Sequence, residues 1–112
     1  MMPQDRERLQ KMLSFAIDVS ELSKGMTFDK LEHDKPFQYS LLYPLGQIGE
    51  LAIRLGDIDK TYPAIEWADW RGFRNRVFHD YGAIDFSIVM EMIDEAIPLL
   101  ISGLTAVINE LD

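Results

Sequence analysis

Apolar positions recur at three- and four-residue spacing along almost the whole chain. From about Gln4 to Lys24 the residues Leu9, Met12, Leu13, Ala16, Val19 and Leu22 draw one stripe, which predicts an amphipathic helix with Gly25 as its stop. Thr27 is placed to cap a short helix over Phe28 to His33, and Pro36 to open a third near Phe37. In that third segment Phe37, Leu41, Leu45, Ile48, Ala52 and Leu55 give the clearest stripe of the chain, ending at Gly56. Pro44 falls inside it. Its missing N–H predicts a kink there, unless the helix starts later. Gly56 to Pro63 reads as a loop, Trp67 to His79 as a fourth helix and Gly82 as a turn. Asp85 then caps a long final helix whose stripe runs Phe86, Val89, Ile93, Ile97, Leu100, Leu104, Val107 and Leu111, with a bend expected at Pro98. No stretch alternates with the period of a strand, and there is no repeat or linker. The predicted architecture is all-α: one domain over residues 1–112, an antiparallel bundle of four or five helices.

Composition narrows the function. A chain of 112 residues suits one core, and 47% hydrophobic content marks it as globular. Without cysteine it has no disulfide and no thiolate metal site, so a reducing cytosol is the simplest setting. The N-terminus lacks an apolar signal core, and no apolar run approaches the roughly 18 residues that span a bilayer, so a soluble, cytoplasmic protein with no membrane partner is expected. The net charge of -8 repels polyanions as a whole, and any contact with nucleic acid must be local. One segment offers such a contact. Arg71, Arg74 and Arg76, three of the eleven Lys and Arg residues, fall within six positions, tempered by Glu66, Asp69, Asp80 and Asp85.

At about 100° per residue, with Trp70 as zero, Phe73, Val77, Phe78 and (if the helix reaches it) Tyr81 lie within about 80° on either side, the arc expected to pack on the bundle. Arg74 falls in the same arc, at about 40°, where a guanidinium is costly without an anion or several acceptors. Arg71, Asn75 and His79 share the flank between about 100° and 180°. Asn75 and His79 are four apart, so the amide can bond the ring and fix its tautomer, while the helix C-terminus favours a cationic imidazole. A guanidinium for phosphate, an imidazole for proton transfer and the phenol of Tyr81 suffice for RNA cleavage without a metal, by attack of the ribose 2′-hydroxyl on the adjacent phosphate.

Structural roles compete for each of these residues. Arg74 can form an ion pair with Glu50 or Glu91, His79 can be a satisfied helix-end histidine, and Tyr81 a core tyrosine bonded to a carboxylate. Trp67, Trp70, Phe73 and Phe78 are expected in the core rather than stacking on bases. His33, in Glu32-His33-Asp34, is expected to be solvated, and Asp80 and Asp85 would meet a cation only by accident of fold.

Arg74, His79 and Tyr81 form an R-x4-H-x-Y pattern that resembles the motif of the HEPN class of ribonucleases, specifically the HepT-like toxins. Tyr62-Pro63-Ala64-Ile65-Glu66-Trp67 is similar to that family's Pro-x-Ile-x-Trp lead-in, Gly72-Phe73-Arg74-Asn75 to its Gly-Met-Arg-Asn, Ile48-Gly49-Glu50 to its Ile-Gly-Glu, and Pro98-Leu99-Leu100 to its late Leu-Pro region. The likeness runs from about Leu41 to Leu104. Phe73 for Met and Leu51 after Glu50, where Ala is common, depart at packing positions.

The resemblance implies an all-α homodimer, with catalytic Arg74 and His79 from both chains lining one cleft and RNA cut there with no metal or other cofactor. Asn75 and Arg71 would support them. It further implies a type VII toxin–antitoxin pair, in which a nucleotidyltransferase antitoxin of the MNT type adds AMP to Tyr81. The alternative is a non-catalytic helical module that presents substrate to a nucleotidyltransferase. The Arg and His pair favours the enzyme, and the net charge of -8 favours the module.

Overall fold

The computed structural model describes residues 2–112, and at Tyr81 the backbone alone. Among the described residues seven α-helices follow in order: α1 (Asp5–Leu22), α2 (Phe28–His33), α3 (Lys35–Arg54), α4 (Ile58–Thr61), α5 (Trp67–His79), α6 (Phe86–Glu91) and α7 (Ile97–Leu111). Among the described residues there is no strand. The result is a helical bundle in which α3 is central, packing on both α1 and α5, while α7 packs on α1.

Local chemistry sets the ends. Thr27 accepts the N–H of Lys30 and opens α2, and Asp85 accepts the N–H of Ser87 and opens α6, both as the sequence predicts. Gly25 and Gly56, at φ +71° and +61°, take the left-handed conformation that ends α1 and α3. The cap of α3 is Asp34, which accepts the N–H of Phe37, so the helix opens two residues before Phe37 with Pro36 in its first turn. Buried Gln38 donates to the carbonyls of Leu31 and Glu32 at 2.8 and 3.0 Å and closes the end of α2. The loop expected over Gly56 to Pro63 instead contains α4, a single turn too short to show a stripe, anchored by buried Ile58.

The two prolines resolve differently. Helix α3 is assigned continuously through buried Pro44 from Lys35, so the alternative of a later start is not what the chain adopts. Between α6 and α7 a π-helical turn spans Met92–Ala96, and the N–H of Ile97 bonds the carbonyl of Met92, five residues back. Proline at 98 has no N–H and its ring crowds the carbonyl four residues earlier, so the wider turn just before it relieves that conflict.

The core draws on every long helix: Leu9, Met12, Ala16 and Val19 of α1, Leu41, Leu45, Ile48 and Ala52 of α3, Trp67, Trp70 and Phe73 of α5, and Ile97, Leu100 and Leu104 of α7. The indole N–H of Trp67 donates to the carbonyl of Tyr62 at 2.7 Å, satisfying its polar handle. Of the four aromatics expected in the core from α5, Phe78 is the exception. It is 51% exposed, because it sits at the edge of the packed arc, about 80° from Trp70, and Val77 takes the inward position against Gly46.

Candidate active site

The close approach of α3 and α5 builds the site. A Cβ on Gly49 would strike the backbone carbonyl oxygen of Trp70 and stand 2.5 Å from Cβ of Arg74. Glycine at this position lets the helices meet, and one residue on, Glu50 lies beside Arg74.

Arg74 Nε donates to Glu50 Oε2 at 2.7 Å, and both side chains are about one quarter exposed. The acid that the arginine requires is therefore Glu50 rather than Glu91. Glu50 also pairs through Oε1 with Arg54 Nε at 3.5 Å. Arg74 Nη1 donates to Asn75 Oδ1 at 3.1 Å, and the guanidinium carbon lies 4.8 Å from the centre of the Phe78 ring. Nη2 has no hydrogen bond among the described residues. The guanidinium is held on one edge and stacked on a half-exposed ring, with a corner free for an anion.

His79 is the last residue of α5 and is exposed. Among the described residues it forms no hydrogen bond or ion pair. The expected bond from Asn75 to its ring is not formed, and the amide oxygen accepts from Arg74 instead. Asp80 ends the helix with φ -144°, its N–H bonding the carbonyl of Arg76, and Tyr81 opens a 3-10 turn to Ala83. The phenol of Tyr81 lies outside the described residues.

Arg71 is committed elsewhere. Nη1 and Nη2 grip Asp59 at 3.1 and 2.7 Å, while Nε and Nη2 donate to the carbonyls of Ala52 and Gly56 at 3.1 and 2.9 Å. It thereby closes the C-terminal end of α3, and the bidentate bond holds the carboxyl of Asp59 below the ordinary range. Its contact with the rest of the site runs through α3, which carries Glu50. Sequence reading missed Asp59, since a charge in an apparent loop carries no periodic signal. It also missed Tyr39 and Tyr43, which are 54% and 63% exposed and form an apolar cleft with Leu42, Val77 and Phe78. Two aromatics four apart, off the apolar stripe of α3, are the signal that marks them. His33 is solvent-exposed at the end of α2, within 3.6 Å of the carboxylates of Asp29 and Glu32. Among the described residues no group of three or more His, Asp or Glu side chains is placed to hold a metal ion.

A helical bundle that presents a buttressed arginine and an open histidine on one helix is a scaffold for proton transfer at a phosphate. The family model for HepT-like ribonucleases matches residues 9–107. The chain belongs to that family and is an endoribonuclease. Two proteins of Methanocaldococcus jannaschii named as candidate ribonucleases are 27% and 28% identical to it. The first alignment covers 93% of this chain and 90% of the relative, the second 80% and 84%. A protein of Thermococcus cleftensis named as a candidate ribonuclease HepT is 25% identical, over 73% of this chain and 76% of its own. No solved structure matches the chain significantly.

Proposed function

We propose that the chain acts as one HEPN-like domain over residues 1–112, a metal-independent endoribonuclease whose site is shared by two copies. The observation that carries this reading is the state of the two groups on α5: among the described residues Arg74 is fixed by Glu50 with Nη2 left open, and His79 is exposed without a partner. In the reaction His79 accepts the proton of the ribose 2′-hydroxyl as that oxygen bonds to phosphorus, and the bond to the 5′-oxygen breaks. The leaving oxygen takes a proton, and the products are a 2′,3′-cyclic phosphate and a 5′-hydroxyl. Arg74 stabilises the added charge on the non-bridging oxygens.

One chain supplies these groups poorly by itself. Five residues of helix separate Arg74 from His79 by about 7.5 Å along the axis and about 140° around it. A second copy docked on the cleft of Tyr39, Tyr43 and Phe78, which abuts Arg74, would bring a complementary pair into reach, one imidazole as base and the other as acid. On this reading Asn75 orients Arg74. Tyr81, just past the helix, is the acceptor of AMP from an MNT-type nucleotidyltransferase antitoxin, which would place the protein in a cytoplasmic type VII toxin–antitoxin pair.

Incubation of the purified protein with total RNA, with and without EDTA, tests the core of the proposal. Cleavage should survive the chelator and vanish in His79→Ala. Loss of cleavage in EDTA, or full activity of the His79 variant, overturns it.

A further inference from the structure

Helix α5 has a second flank. About 100° to 160° from Trp70 on the side away from Arg74 and Phe78, it carries Asp69, Gly72 and Arg76, which line a groove of about 400 Å³ facing α6 and the π-helical turn. The floor is apolar, made by buried Trp70 and Phe73 with Ile88 and Met92 opposite. The rim is acidic: Glu66 and Asp69 on one side, Glu91 and Glu95 on the other, with Arg76 as the cation. Among the described residues none of these five side chains forms an ion pair or hydrogen bond. Past Phe73 and Ile88 the groove continues into a smaller one that adds Asp80 and Asp85.

Gly72 points to a ligand here. Of the four helical glycines, two have no room for a side chain, Gly49 against Trp70 and Arg74 and Gly103 against Ile65 at 2.9 Å, and Gly46 packs on Val77 at 3.4 Å. A Cβ on Gly72 would meet nothing within 4 Å. Glycine in the middle of a helix lowers its stability without helping this packing, and it leaves the backbone of α5 open to close approach beside the groove.

We infer that this groove is a docking site for a basic, amphipathic helical segment of a partner protein. Its apolar side chains lie on Trp70, Phe73, Ile88 and Met92, its Lys or Arg residues meet Glu66, Asp69, Glu91 and Glu95, and its backbone passes close over Gly72. The charge excludes RNA as occupant, since a polyanion would face four unpaired carboxylates. The groove lies on the flank of α5 away from Arg74 and Phe78, with Asn75 and His79 on the edge of the helix between the two.

A library of short displayed helical peptides panned on the intact protein is the probe. Enriched sequences should carry Lys or Arg beside an apolar stripe, weaken as salt rises, and quench or shift tryptophan fluorescence through Trp70. The double variant Glu91→Lys, Glu95→Lys and the variant Gly72→Met should each weaken binding by about tenfold or more. Gly72→Ala should move two readouts in opposite directions: the unfolding midpoint rises by roughly 4 °C, as the helix gains propensity, while peptide affinity falls. RNA cleavage should be unchanged in the Glu91→Lys, Glu95→Lys variant, whose residues lie off α5. No enrichment of basic sequences, equal binding to the Gly72 and charge-reversal variants, or enrichment of acidic peptides overturns the assignment.

Discussion

Arg74 Nε and Glu50 Oε2 lie 2.7 Å apart, and this bond joins α5 to α3 while leaving the Nη2 corner of the guanidinium unused among the described residues. The structural and the chemical roles of the arginine are thus carried by different edges of one group. Glu50→Ala should lower RNA cleavage by about tenfold to a hundredfold, because a misplaced cation meets the phosphate off its line. The stability loss should be about 1 kcal/mol. Glu50→Gln keeps an acceptor for Nε and should retain more activity than Glu50→Ala. Initial rates on a defined RNA, with denaturant unfolding alongside, separate the effects, and unaltered rates in Glu50→Ala would show that the anchor does not matter.

Gly49→Ala should do the opposite of Gly72→Ala. The added methyl strikes the backbone of α5, which cannot turn aside as a flexible side chain can. We expect a destabilisation of about 1–3 kcal/mol, measured by chemical denaturation, together with reduced cleavage as Arg74 is displaced.

The Arg71–Asp59 pair predicts a pH dependence. The bond to Arg71 holds the folded carboxyl of Asp59 below its ordinary value of 3.8. Its stabilisation is therefore present above that value and is lost as pH falls through the folded value. Thermal unfolding followed from neutral pH into the acid range should show a shallower loss for Asp59→Asn than for the parent. Parallel curves would assign acid sensitivity to other groups.

Docking of two copies through the aromatic cleft predicts that Tyr43→Glu, an anion placed in an apolar contact, gives a monomer by light scattering and loses cleavage with its fold intact. A parent protein that is monomeric at micromolar concentration removes the shared cleft.

Co-expression with a cognate nucleotidyltransferase should add one or more AMP units to Tyr81, seen by mass spectrometry, with loss of toxicity. The anion would compete for the Nη2 corner of Arg74. Neutralisation that persists in Tyr81→Phe would point to simple occlusion of the site by the partner.

The sequence by itself determined the long helices, though not the single turn of α4 or the π-helical break between α6 and α7. Helix ends rest on local chemistry, as with the caps at Thr27 and Asp85 and the left-handed glycines 25 and 56, and α5 begins and ends where its apolar spacing says. It also placed the candidate residues Arg74, Asn75 and His79 on one helix, with Asn75 and His79 four apart on its flank. Partner choice lay beyond it. That Arg74 takes Glu50 and not Glu91, and that Arg71 is spent on Asp59 and two carbonyls, depend on how α3 and α5 pack, where Gly49 lets them meet closely. The tertiary structure also decided where the charge goes. Glu66, Asp69, Asp80 and Asp85 temper the arginines in sequence, but in the bundle they line the other flank of α5, so a chain of net charge -8 keeps a cationic corner at Arg74. Periodicity fixes which way a residue points from its own helix, and only packing fixes what stands opposite.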